Sequence, residues 1–140
     1  MAHVNDPEVI RRLLTAPARW AVVGLSDNPR RVAPRIGRYL MDTLGMEVVP
    51  VNLEGAEVFG LKGYRELADI PGGVEVVDCF VNSQKVGPVV DQAIEAGAKA
   101  VWLQLGVVDE AAAARAAAAG LDVVMDTCPA IEAPRLGVGR

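Results

Sequence analysis

The repeated alternation between short apolar runs and segments of helical length constrains the fold of this chain more than any other feature. The runs are rich in β-branched and aliphatic residues, and they occupy positions 20–23, 47–51, 74–81, 100–103 and 121–125. Their residues are nearly continuously apolar, which is typical of strands covered on both faces, as in parallel sheets. The pattern therefore predicts buried parallel strands that are connected by helices.

Three of the connecting segments carry clear helical signals. Segment 34–44 spaces apolar residues at i, i+4 and i+8, segment 86–96 carries a similar stripe, and segment 109–119 is almost entirely alanine after a potential N-cap, Asp109. Each segment is followed by a glycine suited to a left-handed C-cap: Gly45, Gly97 and Gly120. Together these signals predict an α/β fold, a single doubly wound Rossmann-like domain with about five parallel strands and helices on both faces.

Two regions lie outside the regular alternation. An opening helix is expected from about Asp6 to Thr15, and the irregular segment 52–73 is expected to hold a loop, a short strand and one helical turn. We therefore divide the chain into an N-terminal helical extension, a Rossmann-like domain and a C-terminal tail, with bounds at 1–18, 19–128 and 129–140.

Composition excludes several classes of protein. A chain of 140 residues suffices for one domain that buries about 70% of its unfolded surface. The formal net charge of -4 argues against a nucleic-acid partner, and no apolar run reaches the length of a membrane span. Two cysteines are too few for a disulfide framework, so a reduced, cytoplasmic setting is expected. The lone histidine, His3, is expected in a frayed terminus, so no zinc site is predicted.

The candidate site lies just after the apolar runs, because ligands of open parallel sheets bind beyond the carboxyl ends of the strands. In the first loop, Gly24 allows close backbone approach, Ser26 adds a hydroxyl next to Leu25, and Arg30 and Arg31 suit phosphate oxygens. Further candidates follow the other runs: Asn52, Val81, Lys85, Gln104, Gly106 and Cys128. A phosphate-bearing ligand is the class that this set of residues favours.

The same loop disfavours an NAD-dependent dehydrogenase. The dinucleotide pattern G-x-G-x-x-G is absent, because Ser26 stands where its second glycine would be. The second run ends at Asn52, so no acidic residue is placed to bind the ribose of NAD. A plain nucleotide-binding oxidoreductase is therefore kept only as a distant alternative.

Five motifs in this order carry a resemblance to a known family: VVGLSDNPRR, EVVPVN, VFGLKGY, VWLQLG and VVMDTC followed by IE. The set, over residues 19–136, resembles the small stand-alone CoA-binding proteins, whose Rossmann-like domain is similar to that of succinyl-CoA synthetase α subunits and NDP-forming acyl-CoA synthetases. The resemblance implies that coenzyme A lies across the carboxyl edge of the sheet. Its diphosphate would lie near Gly24–Ser26 and Arg30, and Asn52 would face the nucleotide.

The chain departs from the family's pattern at two places. Asn82 and Ser83 stand where relatives often carry a basic pair, and Pro129 follows the final cysteine where a basic residue is common. Fewer cations would then meet the phosphates of CoA, which Lys85 would offset in part. The strand residues Cys79, Phe80 and Trp102 are expected in the core.

Cys128 admits two interpretations. It is either a corner residue of a Cys-Pro turn, or a thiol within reach of the thiol of CoA, where it could form a mixed disulfide. No pair of carboxylates and no histidine is spaced for acid–base work, and the phosphoryl-carrying histidine of the similar synthetases belongs to another domain. The hypothesis is therefore non-catalytic binding of CoA or acyl-CoA at the carboxyl edge of a parallel sheet, with no metal.

Two alternatives stay open. The chain could be the CoA-binding subunit of a multi-chain acyl-CoA ligase or transferase, or a redox protein that forms a Cys128–CoA mixed disulfide. The expected partner is a small molecule, with no nucleic acid and no membrane, and either a homodimer or a separate catalytic subunit remains compatible with the sequence.

Overall fold

A computed structural model describes residues 2–139 and confirms the α/β architecture. Within these residues, five parallel strands form one sheet in the order β2-β1-β3-β4-β5. The strands are β1 (Arg19–Val23), β2 (Glu47–Val51), β3 (Val76–Cys79), β4 (Ala100–Leu103) and β5 (Asp122–Met125). The helices are α1 (Pro7–Thr15), α2 (Ala33–Asp42), α3 (Val86–Glu95), α4 (Glu110–Ala118) and α5 (Pro129–Arg135), and Leu67–Asp69 form a 3₁₀ turn.

The strand order places a switch point beside β1. Val23, the last residue of β1, is in register with Val51 on one side and with Cys79 on the other. The chain therefore moves outwards from β1 in both directions, first to β2 and later to β3. The carboxyl ends of β1, β3 and β4 consequently lie side by side, where open α/β sheets bind their ligands.

Two apolar layers cover the sheet and explain why the strands read as continuous apolar runs. On one face, α3 and α4 pack against Val77 and Leu103, and the alanines of α4 let its backbone approach closely. On the other face, α1, α2 and α5 cover Trp20 and Trp102, whose ring centroids lie 5.7 Å apart. Both faces of every central strand are thus removed from water.

The predicted N-cap Asp109 and the left-handed glycines are confirmed, although α2 ends at Asp42, two residues before the predicted end. The carboxylates of Asp6 and Asp109 accept hydrogen bonds from the backbone N–H groups of Glu8 and Ala112, so both residues cap their helices. The glycines after the central helices all adopt positive φ: Gly45 at 72°, Gly97 at 79° and Gly120 at 90°.

The structure differs from the sequence prediction near the two ends of the chain. Segment 129–140, interpreted as a tail, contains α5, which begins at Pro129 and carries Pro134 in its last turn. These two prolines mask the helical signal in the sequence, although Pro129 occupies a first-turn position where its missing N–H has no intrahelical partner. Ala133 of this helix is fully buried in the α1/α2 layer.

The expectation of a frayed amino terminus was wrong. The backbone N–H of His3 donates to the Glu110 carboxylate at 2.7 Å. The Asn5 side chain accepts from the N–H of Met125 and donates to its carbonyl, both at 2.9 Å. The Asn5 side chain therefore satisfies the backbone N–H and carbonyl of Met125 at the outer edge of β5. No helix in residues 2–139 combines the length and apolar character needed to cross a membrane.

Candidate functional site

A cleft of about 640 Å³ opens at the carboxyl edge of the sheet, between the first turn of α2 and the first turn of α5. Its floor is formed where β1, β3 and β4 end, and its volume falls in the range typical of small-molecule sites. Most of the predicted site residues line it: Gly24, Arg30, Arg31, Val81, Gln104, Gly106 and Cys128. The others, Leu25, Ser26, Asn52 and Lys85, lie outside its lining.

Leu25 and Ser26, which do not line the cleft, determine the conformation of the loop after β1. Leu25 is fully buried beside Gly37 of α2, so it anchors the loop in the core. The Ser26 hydroxyl accepts from the N–H of Asn28, and the Asn28 side chain accepts from the N–H of Arg30 at 3.0 Å. These local turns place the two predicted arginines at the mouth of the cleft.

Asn52 braces two neighbouring loops. Its amide nitrogen donates to the carbonyls of Leu25 and Ala56, both at 3.0 Å, and its amide oxygen accepts from the Ala56 N–H at 2.7 Å. The side chain thereby ties the loop after β2 to the loop after β1. Lys85 is exposed at the start of α3, the helix that covers the other face of the sheet. Ligand contacts of these two residues stay predictions.

Gly24 is required by the packing of the chain on itself. Its φ is +94°, and a Cβ placed on it would lie 2.5 Å from the carbonyl oxygen of Phe80. The turn after β1 therefore passes directly over the end of β3, which no side chain at this position would permit. The sequence predicted Gly24 as a glycine that lets a phosphate approach the backbone, and this ligand contact stays a prediction. The close approach in the structure is to the neighbouring backbone of Phe80.

One wall of the cleft is cationic. Arg30, Arg31 and Arg35 line it with exposed side chains, and within residues 2–139 none of them forms a salt bridge. No acidic side chain from this part of the chain lines the cleft, and no group of three or more His, Cys, Asp or Glu residues in it is placed to hold a metal ion. α2 also begins here without a side-chain cap. The wall therefore suits an anion.

The opposite wall is apolar. Leu105 and Ile131 line it although they are 62% and 41% exposed. Phe80, expected in the core, is only half-buried and also lines the cleft. Trp102 is buried as expected, and its indole N–H donates to the Thr127 carbonyl. A ligand that combines negative charge with an apolar portion matches both walls.

The loop after β4 is held from two directions. The Asp126 carboxylate accepts from the N–H of Gly106 at 2.7 Å, and Asp126 itself adopts a φ of 61°. The Ser83 hydroxyl accepts from the N–H of Val108 at 2.9 Å. The roles of Asp126 and Ser83 were not predicted from the sequence, although both are polar residues close after a strand. Their hydrogen bonds hold in place the loop that carries Leu105.

A buried polar pair lies beneath the cleft and was also missed. Asp78 in β3 is fully buried, and burial raises the pKa of its carboxyl well above the usual range. Gln104, directly after β4, lines the cleft, and its amide nitrogen faces Asp78 at 2.7 Å from Oδ1 and 3.2 Å from Oδ2. The available signal was a charged residue inside an otherwise apolar run.

The two cysteines have different surroundings. Cys79 is fully buried between β3 and the α3/α4 layer, as expected, and burial raises the pKa of its thiol. Cys128 is 7% exposed, precedes Pro129 at the start of α5, and lines the cleft. Cys128 is therefore a nearly buried corner residue at the border of the cleft, and its reach to a ligand thiol stays a prediction. Neither cysteine is in a disulfide.

With this geometry established, the comparison with protein families decides the assignment. Residues 18–134 match the family described as the CoA binding domain, which accounts for most of the chain. The chain belongs to this family. The resemblance deduced from the sequence motifs is thereby confirmed.

Two relatives match this CoA-binding domain along nearly its whole length. A hypothetical protein from Pyrococcus horikoshii OT3 has a solved structure that superposes with a TM-score of 0.87 at 38% sequence identity, covering 97% of this chain and 99% of that one. The uncharacterized protein YneT of Bacillus subtilis (strain 168) is 34% identical over 119 residues, which are 85% of this chain and 87% of YneT.

A third relative is a much larger protein. The ADP-forming acetate–CoA ligase II subunit alpha of Pyrococcus furiosus is 32% identical over 85 residues, which are 61% of this chain but only 19% of that subunit. The CoA-binding domain is therefore related to one part of a ligase subunit, and it spans about a fifth of that subunit's length.

Proposed function

We propose that this domain binds coenzyme A or an acyl-CoA, without catalysing a reaction itself, in the cleft at the carboxyl edge of the sheet. The observation that carries the proposal is the pairing of an arginine wall with an apolar wall in one cleft. Coenzyme A has the matching division, since its phosphates lie towards one end and an uncharged pantetheine arm, with apolar segments between its amides, leads to the thiol at the other.

The arginine wall is assigned to the phosphates. Arg30, Arg31 and Arg35 have no carboxylate partner within residues 2–139, so their guanidinium groups are available to an anion. Guanidinium binds phosphate oxygens in a bidentate manner, and the first N–H groups of α2 add donors that lack a side-chain cap. These contacts would offset the net negative charge of the chain around the ligand.

The apolar wall is assigned to the pantetheine arm and to any acyl group. Leu105 and Ile131 would lose exposed apolar surface when the arm covers them, which favours binding by about 25 cal/mol per Å². Because Asp126 and Ser83 already hold the loop that carries Leu105, little ordering of this wall should be needed on binding.

A thermal-shift series with CoA, NAD, NADP and ATP tests the proposal. A ligand that binds only the folded state raises its melting temperature by mass action, so CoA should give a shift that grows with concentration. Lys99→Ala, which removes one positive charge before β4 at the opposite edge of the sheet, serves as a matched control and should keep the full shift. A shift with NAD and none with CoA would reject the proposal.

A redox role is a second candidate, favoured by the position of Cys128 in the cleft. Its thiolate would attack the disulfide of oxidised CoA, form a Cys128–CoA mixed disulfide and release one reduced CoA thiolate. Intact-mass spectrometry should then show one CoA adduct on the wild type and on Cys79→Ala, and none on Cys128→Ser. An equal adduct on Cys128→Ser would exclude this role.

Service as one subunit of a larger CoA ligase is the remaining candidate. It is favoured by the likeness to the acetate–CoA ligase subunit, of which the matched segment makes up only 19%. Co-purification of a larger chain that confers ligase activity would support this candidate, and recovery of the domain alone from native extracts would count against it.

We place the protein in a reducing compartment such as the cytoplasm, where the free thiols Cys79 and Cys128 would persist.

A further inference from the structure

Asp78 is an unusual residue for the centre of this sheet. It lies in β3 in register with Val22 and Trp102, and its side chain is 0% exposed. A carboxyl group in such apolar surroundings destabilises a fold unless polar partners compensate for its lost hydration. Within residues 2–139 its side-chain hydrogen-bond partner is the amide of Gln104. A buried pair of this kind is not expected to stabilise the fold, so its presence indicates a role at the cleft.

Gln104 connects this buried carboxyl with the cleft. It is only 4% exposed, directly follows β4 and lines the cleft. Its amide nitrogen donates to Asp78 Oδ1 at 2.7 Å and to Oδ2 at 3.2 Å, whereas the reverse orientation would face its oxygen with acceptors and its nitrogen with donors. In this orientation Asp78 holds the amide nitrogen, and the amide oxygen is turned away from Asp78.

We propose that Gln104 offers its amide oxygen to an N–H donor of the bound ligand, and that Asp78 is the positioning residue that holds the amide in this orientation. The proposal rests on the proposed function. In coenzyme A, donors of this kind near β4 are the secondary amides of the pantetheine arm. A carbonyl oxygen has two lone pairs, so it can accept from the ligand as well as from the protein.

The arrangement gives the site selectivity as well as affinity. A glutamine at a solvent-exposed rim can rotate its amide to suit either a donor or an acceptor, but Gln104 is nearly buried and tied to Asp78. A ligand that places an apolar or acceptor atom there leaves a desolvated oxygen without its partner, which sites of this type reject strongly. The pair thus favours an amide-bearing arm over ligands that lack one.

Asp78→Leu is the first test, because leucine replaces the carboxyl with a group of the same number of heavy atoms and no acceptor. Released from Asp78, the Gln104 amide should lose its fixed orientation, and the dissociation constant for CoA in isothermal titration should rise about tenfold. The melting temperature should stay equal or increase, since a buried polar group is removed. Asp78→Asn retains an acceptor oxygen and should restore affinity to within about threefold of the wild type.

Gln104→Met provides an independent test that leaves the carboxyl in place and applies even if Asp78→Leu does not fold. It should weaken CoA binding to a similar extent, and adding Asp78→Leu in this background should change the affinity by less than about twofold, because the two residues act as one unit. Asp69→Asn, an exposed carboxylate in the 3₁₀ turn, is the matched control and should alter neither quantity.

The outcomes separate this inference from the proposed function. If the wild type binds CoA and a folded Asp78→Leu or Gln104→Met binds it equally well, the inference is overturned while CoA binding stands. If the two effects add fully in the double variant, Asp78 does not act through Gln104. Adenosine 3′,5′-bisphosphate, which lacks the arm, should bind wild type and Asp78→Leu alike, and an equal loss for this fragment would contradict the assignment to the arm. A wild type that binds no CoA rejects the proposed function itself.

Discussion

The two faces of the sheet are built on different principles. The face covered by α3 and α4 is a closed apolar layer, in which even the thiol of Cys79 is sealed from water. The face covered by α1, α2 and α5 contains both tryptophans but also buries Asp78 and carries Cys128 to the edge of the cleft. The difference indicates that one layer is purely apolar, while the other gives up some stability to hold polar groups beneath the cleft.

A substitution in the closed layer formed by α3 and α4 tests this difference between the two faces, and it has the largest expected effect. Leu67 is 2% exposed and packs with the α3/α4 layer far from the cleft lining. Leu67→Ala should lower the free energy of unfolding by about 2–5 kcal/mol, because it removes buried surface and leaves a cavity. Urea denaturation gives this loss. The dissociation constant for CoA, measured where the variant is folded, should remain that of the wild type, and a parallel loss of affinity would contradict the division between the faces.

At the arginine wall we expect the opposite result, namely a loss of affinity for CoA without a loss of stability. Arg30 and Arg31 are exposed and make no salt bridge within the described residues, so the double substitution Arg30→Ala, Arg31→Ala should leave the melting temperature within a few degrees. Loss of two charge-assisted contacts should weaken CoA binding about a hundredfold in isothermal titration. Lys99→Ala should bind CoA normally. Equal losses in both would show that the effect is only one of net charge.

Two glycines of the cleft offer a matched pair. Both have positive φ, but a Cβ on Gly24 would collide with the Phe80 carbonyl, whereas a Cβ on Gly106 would meet no atom within 4 Å. Gly106→Ala should therefore lower the free energy of unfolding by about 1 kcal/mol, which is the backbone strain alone. Gly24→Ala should lower it by about 3 kcal/mol, because the steric collision adds to the strain. Thermal unfolding of the two variants compares them directly, and equal destabilisation would show that the turn over β3 can shift to relieve the contact.

The smallest expected effect is a pH dependence. Burial raises the pKa of the Asp78 carboxyl, so the folded state keeps this proton to higher pH than the unfolded chain, whose pKa is about 3.9. The stability that this proton gives is fully present below that value and is lost as pH rises through the folded pKa. The melting temperature of Asp78→Leu, relative to that of the wild type at the same pH, should therefore increase as pH rises above about 4. A constant difference across pH would contradict the assignment.

The sequence was sufficient for the parts of the fold that depend on local patterns. The predicted strands at 47–51 and 100–103 match β2 and β4 residue for residue. Segment 100–103 is a continuous apolar run between two polar residues, and segment 47–51 is bounded by Glu47 and Asn52. The run 74–81 was predicted too long, because Val74 is buried in the core outside the ladder and only Val76–Cys79 pair as β3. α5 was missed because two prolines interrupt its periodicity.

The site was predictable to the extent that it follows from the ends of strands. Position after a strand led to Gln104 and Cys128, which do line the cleft, while their contacts with a ligand stay predictions. The same rule cannot tell whether a side chain faces the cleft or braces a neighbouring loop, as Asn52 does through its three hydrogen bonds. The pairing of Asp78 with Gln104 depends on strand register and on which face each residue shares, which a single sequence does not encode in any local pattern.

The central claim is that CoA occupies the cleft, and an NMR titration of the ¹⁵N-labelled domain tests both binding and place. The account predicts that CoA shifts the backbone amide resonances of Gly24, Arg31 and Gly106, while those of Leu67 and Ala113 beneath the closed layer stay in place. Absence of any shift at millimolar CoA, or shifts centred on the α3/α4 face, would contradict it.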